Sequence, residues 1–386
     1  MIQPFQITRG PRVRYGRGEA AFVGEEAKAL GMKRPMLLTD PDLSAAGVLE
    51  PIIEGMKKAG VDFALYDKAE PNPSDESIPL TRAFYESHGC LGIIAVGGGS
   101  AIDTAKAMGT LLSNGGKISD YYGVNKPPKR VPLFIAVPTT AGTRSEVTRA
   151  SIITDTERKV KAGIHSEMLY ADLAVVDPVL LARLPRPVAA GALMDALTHA
   201  IESAGSKYSG PWTEAMCMRA IGFIGKHARR FVADPADPEA SGAVSLASTL
   251  AGASFTNTGL GIVHALTHPY FMTFGGHHGT INAILLAPVM RFNLPAMREK
   301  YAQMAPLLAD PSTDPRDPGA AEAAIEGVRA LGRDIGIAPN FRAYCGWSDD
   351  PLERMSQEAS KSATVQTNPV FAGPAEMKRL YLECAG

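Results

Sequence analysis

Cysteine is scarce. Cys90, Cys217, Cys345 and Cys384 are scattered over 386 residues and form no C-x-x-C pair. That excludes a disulfide framework and a cysteine-built metal site, and suits four packed thiols in a reducing compartment. An excess of either charge is missing too: 39 Lys and Arg face 40 Asp and Glu, a net -1 with no long basic or acidic run. Nothing therefore points to nucleic acid or an anionic membrane. Long apolar runs are absent, since LGIIAVGGG (91–99) and NAILLAPVM (282–290) are far too short to span a bilayer. The start, MIQPFQITRGPRVRYG, lacks the charged-then-apolar order of a signal peptide, and no repeat of solenoid length occurs. These absences leave a cytoplasmic protein that meets small molecules as the expectation.

What is present is ordinary globular material, 45% hydrophobic and 20% charged, in a chain long enough for two cores. The first half alternates. Short apolar runs at 35–40, 61–67, 91–99 and 131–140 are separated by stretches of helical spacing, which predicts a parallel α/β sheet covered on both faces. SIITD (151–155) and DLAVVDP (172–178) add two extended segments. After LARLPRP (181–187) the chain turns rich in Ala, Met, Leu and Gly with helical periodicity, broken by Pro/Asp loops at 233–242 and 309–319. The division expected is an α/β domain over 1–184 and an all-helical domain over 185–386, with the active site in the cleft between them.

LGIIAVGGGSAIDTAKAMG (91–109) reads as buried strand, glycine turn and amphipathic helix. Gly97, Gly98 and Gly99 allow close approach of a ligand, and Ser100 is expected to cap the helix, whose free N–H groups and partial positive charge suit a pyrophosphate. The turn is not G-x-G-x-x-G and follows a later strand, so a standard Rossmann order is not implied. VPTTAGTRSEVT (137–148) repeats the strand-then-turn character and carries Thr139, Thr140, Thr143 and Ser145. Asp40, at the end of PMLLTD, either accepts hydrogen bonds from an adenosine ribose, favouring NAD over NADP, or caps a helix.

Histidine is the opposite of scattered: His264, His268, His277 and His278 fall within HALTHPYFMTFGGHHG. MDALTHAIE (194–202) places Asp195 and His199 at i and i+4, on one helical face, and GIVHALTHP does the same for His264 and His268. One carboxylate and up to four imidazoles among Ala, Leu and Phe suit a divalent Fe, Zn, Mn, Ni or Co ion.

GGGSAIDTAK, PTTAGT-x-SE-x-T, MDALTHAIE and GIVHALTHP…HG-x-x-NAIL together resemble the iron-containing (group III) alcohol dehydrogenases, in order and at family spacing from about residue 12 onward. The resemblance implies a Rossmann-like dinucleotide-binding α/β domain and an all-α metal-binding domain, in a dehydroquinate synthase-like two-domain architecture. It implies Asp195, His199, His264 and His278 as metal ligands, His278 being preferred to His277 because it directly precedes Gly279. His268 matches a non-ligand histidine near the reacting carbon and is the first candidate proton relay, with His277 second. For the cofactor, NAD, it implies Asp40, Gly97, Gly98, Gly99, Ser100, Asp103, Thr139, Thr140 and Thr143. Lys161 matches a lysine facing the cofactor, and Asn72 and Phe255 fall at pocket positions.

The implied activity is hydride transfer between NAD(H) and a small primary alcohol or aldehyde at one divalent ion, Fe²⁺ before Zn²⁺ or Mn²⁺, in a homo-oligomer of two or more chains. Arg144 departs from the Gly or Ala of many relatives. Its guanidinium has three possible places: an anionic substrate group, an acid such as Glu146, or solvent. Arg149, Ala150 and Ser151 fall where the family's pocket varies. QTNPVFAGPAEM keeps Asn368-Pro369 but has Val370 where an arginine is common. Two other activities share these parts: a maleylacetate reductase-like reduction of an acidic substrate, and a dehydroquinate synthase-like lyase.

Overall fold

A computed structural model describes residues 5–142 and 144–386. The chain divides into two compact units, Arg9–Leu181 and Ala182–Gly386, the stretch ending at Thr8 going with the second.

Among the described residues, the first unit holds nine strands: β1 (Arg12–Tyr15), β2 (Met36–Leu38), β3 (Ala64–Tyr66), β4 (Ile93–Gly97), β5 (Gly123–Val124), β6 (Phe134–Pro138), β7 (Ala150–Asp155), β8 (Val160–His165) and β9 (Leu173–Val176). Its helices are α1 (Val23–Ala29), α2 (Pro41–Ala45), α3 (Glu50–Ala59), α4 (Ser77–Ser87) and α5 (Gly99–Asn114). Six strands form an all-parallel sheet in the order β1-β9-β6-β4-β2-β3. Along β4 and β6 every residue is buried, and the side chains alternate between two cores. Ile93, Ala95, Phe134 and Ala136 pack with Ile102, Ala105 and Met108 of α5. Ile94, Val96, Ile135 and Val137 pack with Val23 of α1 and with Ile52 and Met56 of α3. Helices on both faces explain why these strands read as continuous apolar runs.

The strand order fixes where a ligand fits. From β2 the chain moves outward to β3, then crosses back to β4 on the other side of β2. The crevice outside the carboxyl ends of β2 and β4 is thus a topological switch point, the binding position of open α/β sheets. A second sheet of order β5-β8-β7 joins an antiparallel β7–β8 hairpin to β5. SIITD is its first strand. The second, VKAGIH, is too polar to read as a strand from sequence.

The second unit is helical: α6 (Arg186–Gly205), α7 (Pro211–Ala233), α8 (Pro238–Thr258), α9 (Ile262–Phe274), α10 (His278–Leu308) and α11 (Ala320–Asp334), followed by the shorter α12 (Phe341–Tyr344), α13 (Leu352–Ser360), α14 (Thr364–Thr367) and α15 (Pro374–Ala385). Helices α6 and α10 meet backbone to backbone. A Cβ on Gly279 would stand 2.1 Å from the Gly191 carbonyl oxygen, and one on Gly191 would stand 2.4 Å from Nδ1 of His277. Among the described residues, no helix is long and apolar enough to cross a membrane.

Candidate functional site

In the first unit, β4 ends in Gly97, whose φ of 155° and contact with Ala101 (2.7 Å from a would-be Cβ) leave no space for a side chain. Extended Gly98 is the N-cap of α5, which has no side-chain cap. The expected capping by Ser100 is therefore corrected: the helix starts at Gly99, so Ser100 lies inside its first turn, where its Oγ accepts from the Asn72 N–H at 3.1 Å. No side chain caps α5, and N–H groups at a helix start suit an anion. Asp40 caps α2, accepting from the Leu43 N–H at 2.9 Å through Oδ1. Its other oxygen lies 3.7 Å from where a Gly97 Cβ would be, so the carboxylate borders the glycine turn as well.

Thr139 donates its backbone N–H to the Gly97 carbonyl at 3.0 Å, and Thr140 Oγ1 lies 3.8 Å from a would-be Gly98 Cβ. Both threonines thus border the same turn. Thr143 lies outside the described residues. Lys161 donates to Asn72 Oδ1 at 3.0 Å and to Thr154 Oγ1 at 2.9 Å. Burial lowers its pKa to about 8, with Asp103 opposing the shift. Asp103 is itself tied down, accepting from Ser145 Oγ at 2.5 Å and from the Ile152 N–H at 3.0 Å.

Sequence reasoning missed Lys106. It is fully buried and donates to the carbonyls of Ser145 (2.6 Å), Thr148 (2.9 Å) and Ala150 (2.8 Å), holding the loop after β6 against α5. Its only sequence signal is its place in the IDTAK stretch. Arg144, within that loop, occupies the left-handed region, with φ 54°. At 1% exposure it does not point to solvent; burial pushes the nearby Glu146 carboxyl up, and Arg144 opposes that shift.

In the second unit, α6 presents Asp195 and His199 one turn apart, and α9 presents His264. One donor atom from each lies within 4.8 Å of the other two, and all three residues are buried. The ring hydrogen bonds of the Nδ1 atoms orient both imidazoles. His199 Nδ1 donates to the Asp195 carbonyl at 2.5 Å, and His264 Nδ1 to Glu202 Oε2 at 2.6 Å. The Nε2 atoms are the candidate metal donors, that of His264 lying 3.2 Å from Asn282 Nδ2. Asn282, on α10, donates from Nδ2 to Asp195 Oδ1 at 2.6 Å and is itself held by the Thr267 hydroxyl.

His278 Nε2 reaches to 3.9 Å from Asp195 Oδ1, its side chain 37% exposed. The His268 ring lies 5.6 Å from that of His278, and the Phe255 ring 4.6 Å from that of His199. His277, the N-cap of α10, is exposed, with its ring against Gly191.

The donor set fits a divalent cation. One carboxylate oxygen and imidazole nitrogens form a mixed O/N site of borderline hardness. The local field agrees: burial pushes the His264 pKa down, but Glu202 and Asp195 outweigh it and raise it to about 9. Two buried carboxylates among imidazoles make a place that stabilises positive charge. Glu202 and Asn282, which hold the donors, were not singled out from sequence. Each sits inside a quoted motif, but nothing in its spacing shows which ligand it reaches.

A switch-point glycine turn in one unit and a buried carboxylate–imidazole cluster in the other are the parts of a metal-assisted, dinucleotide-dependent oxidoreductase. Comparison with known proteins makes the class specific. Residues 10–178 match the family model for iron-containing alcohol dehydrogenase, and residues 189–384 the one for the C-terminal part of that family. The chain belongs to the iron-containing alcohol dehydrogenase family. It is 36% identical to the NAD-dependent methanol dehydrogenase of Bacillus methanolicus over 92% of this chain and 93% of that one. It is also 36% identical to a 1,3-propanediol dehydrogenase of Klebsiella pneumoniae over 95% of each chain. A crystal structure of a 1,3-propanediol oxidoreductase superposes with a TM-score of 0.95 at 34% identity, covering 99% of this chain and 100% of the other.

Proposed function

We propose that the protein is an NAD-dependent alcohol dehydrogenase and aldehyde reductase that interconverts a small, uncharged primary alcohol and its aldehyde at an iron ion. The observation that carries this reading is the buried Asp195–His199–His264 cluster, with its donor atoms within 4.8 Å of one another. Asp195, His199 and His264 hold the ion, and His278 completes the set from the first turn of α10. An ion held by these residues would supply polarisation of the substrate oxygen, and a bound nicotinamide would supply the hydride chemistry.

The remaining work falls to the chain's own residues. Phe255, stacked beside His199, supplies an apolar wall. His268, half-buried one turn beyond His264, carries the proton between the substrate oxygen and solvent, with His277 further out. In the other unit, Gly97, Gly98, Gly99 and Ser100 receive the pyrophosphate, and Asp40 takes the adenosine ribose and repels a 2′-phosphate. Thr139, Thr140, Asp103, Asn72 and Lys161 border the nicotinamide end.

The acidic-substrate alternative rests on Arg144. Burial pushes the Glu146 carboxyl up and Arg144 opposes that shift, so the guanidinium acts on an acid of its own chain, in support of a neutral substrate. Because residue 144 occupies the left-handed region, Arg144→Gly removes the side chain without backbone strain. In an assay of NADH oxidation with short neutral and acidic aldehydes, the wild type is expected to prefer neutral ones, and the substitution to leave that preference within about threefold. A wild-type preference for acidic aldehydes that R144G abolishes would assign the guanidinium to the substrate instead.

A further inference from the structure

Besides Asp195, α6 buries a second acid, Glu202, one turn past His199 with its side chain 4% exposed. An ionised carboxylate in such a place is costly unless its oxygens are all engaged. Here one oxygen accepts from His264 Nδ1 at 2.6 Å and the other from the Val263 N–H at 2.7 Å. That second bond also sets the carboxylate at the N-terminus of α9, where the helix dipole favours negative charge.

The backbone makes room for this arrangement. A Cβ on Gly261 would stand 2.8 Å from Glu202 Oε1 and 2.7 Å from Asn368 Oδ1. Asn368 accepts from the neighbouring Ile262 N–H at 3.3 Å and is bound to Asn293. Beyond Glu202 lies a cavity of about 10 Å³ with a mixed lining, Asn293, Tyr301 and Asn368 among apolar residues such as Val263, Leu286 and Met290. Capping alone does not account for a carboxylate aimed at an imidazole, because Asn368 already contributes to the α9 cap.

We propose that Glu202 is a positioning residue of the metal centre. A carboxylate oxygen accepts, so at 2.6 Å His264 donates from Nδ1, which turns Nε2 toward Asp195 Oδ1, 3.7 Å away. The charge behind the ring also raises its basicity toward a cation. Asn368, through α9, holds the same helix start. The proposal rests on the reading of Asp195, His199 and His264 as ligands.

The test is metal affinity, read without turnover. Wild type, Glu202→Gln and Gly261→Ala would be stripped of metal. They would then be titrated with Zn²⁺ against a chromophoric chelator, and with Co²⁺ while the visible spectrum is recorded. Both variants are expected to bind Zn²⁺ about 10- to 100-fold more weakly, with a shifted Co²⁺ spectrum, as the carboxylate loses its charge in one and is displaced in the other. A purely structural Glu202 would lower the thermal midpoint of the metal-free protein and leave affinity and spectrum unchanged, which overturns the proposal. If Glu202→Gln does not fold, Gly261→Ala decides by the same two readings. A wild type that binds neither ion would overturn the ligand reading and this proposal with it. Tight binding kept in both variants would overturn the proposal alone.

Discussion

Lys106 has its pKa lowered to about 8 by burial but is engaged by backbone carbonyls; Lys161 is the other lysine whose charge changes within reach of an ordinary assay. Burial lowers its pKa to about 8, so the ammonium is present at neutral pH and lost as pH rises through that value. An anionic dinucleotide is attracted to the protonated form only. NADH affinity should therefore be flat below about pH 7 and fall above pH 8. The expected loss is roughly five- to tenfold by pH 9.5, as befits one charge contact worth about 1 kcal/mol. Fluorescence titration of NADH across that range checks it. Lys161→Met should bind weakly and without the step. An unchanged step in the variant would place the titrating group elsewhere.

At the scale of elements, the two helices that carry Asp195 and His278 are brought together by absent side chains. Gly279→Ala would set a Cβ 2.1 Å from the Gly191 carbonyl oxygen and 2.9 Å from the Asp195 Cβ. The helices must part, which should destabilise the metal-free protein by about 2 kcal/mol, in the range of overpacking. The shift should also displace His278 and lower the metal content. Denaturant unfolding and metal analysis of the purified variant read both effects. Normal stability with normal metal content would show that the close approach is not needed.

How much of this was legible follows from the distance over which each contact acts. Strands β4 and β6 are buried on both faces, so their apolar runs are local and visible. Edge strand β1, RVRY, is mostly exposed, and β8 is paired through a hairpin, so neither announces itself by hydropathy. Asp195 and His199 share one helical turn and could be paired from spacing alone. Glu202 meets His264 across 62 positions and Asn282 meets Asp195 across 87, so only the folded chain joins them. Asp40 was open between helix cap and ribose acceptor. The structure shows the cap, with the second oxygen still beside the glycine turn.

The whole molecule combines an α/β unit suited to a dinucleotide with a helical unit suited to a metal ion, and its central claim is that hydride transfer depends on that ion. The most direct measurement is NADH absorbance with chelator-stripped protein and a short neutral aldehyde, before and after adding Fe²⁺, Zn²⁺ or Mn²⁺. The account predicts no turnover in the stripped protein and recovery on adding one of these ions, Fe²⁺ foremost, with no recovery when His264 is replaced by alanine. Full turnover in the stripped protein would contradict it and move the chemistry to a metal-free reductase.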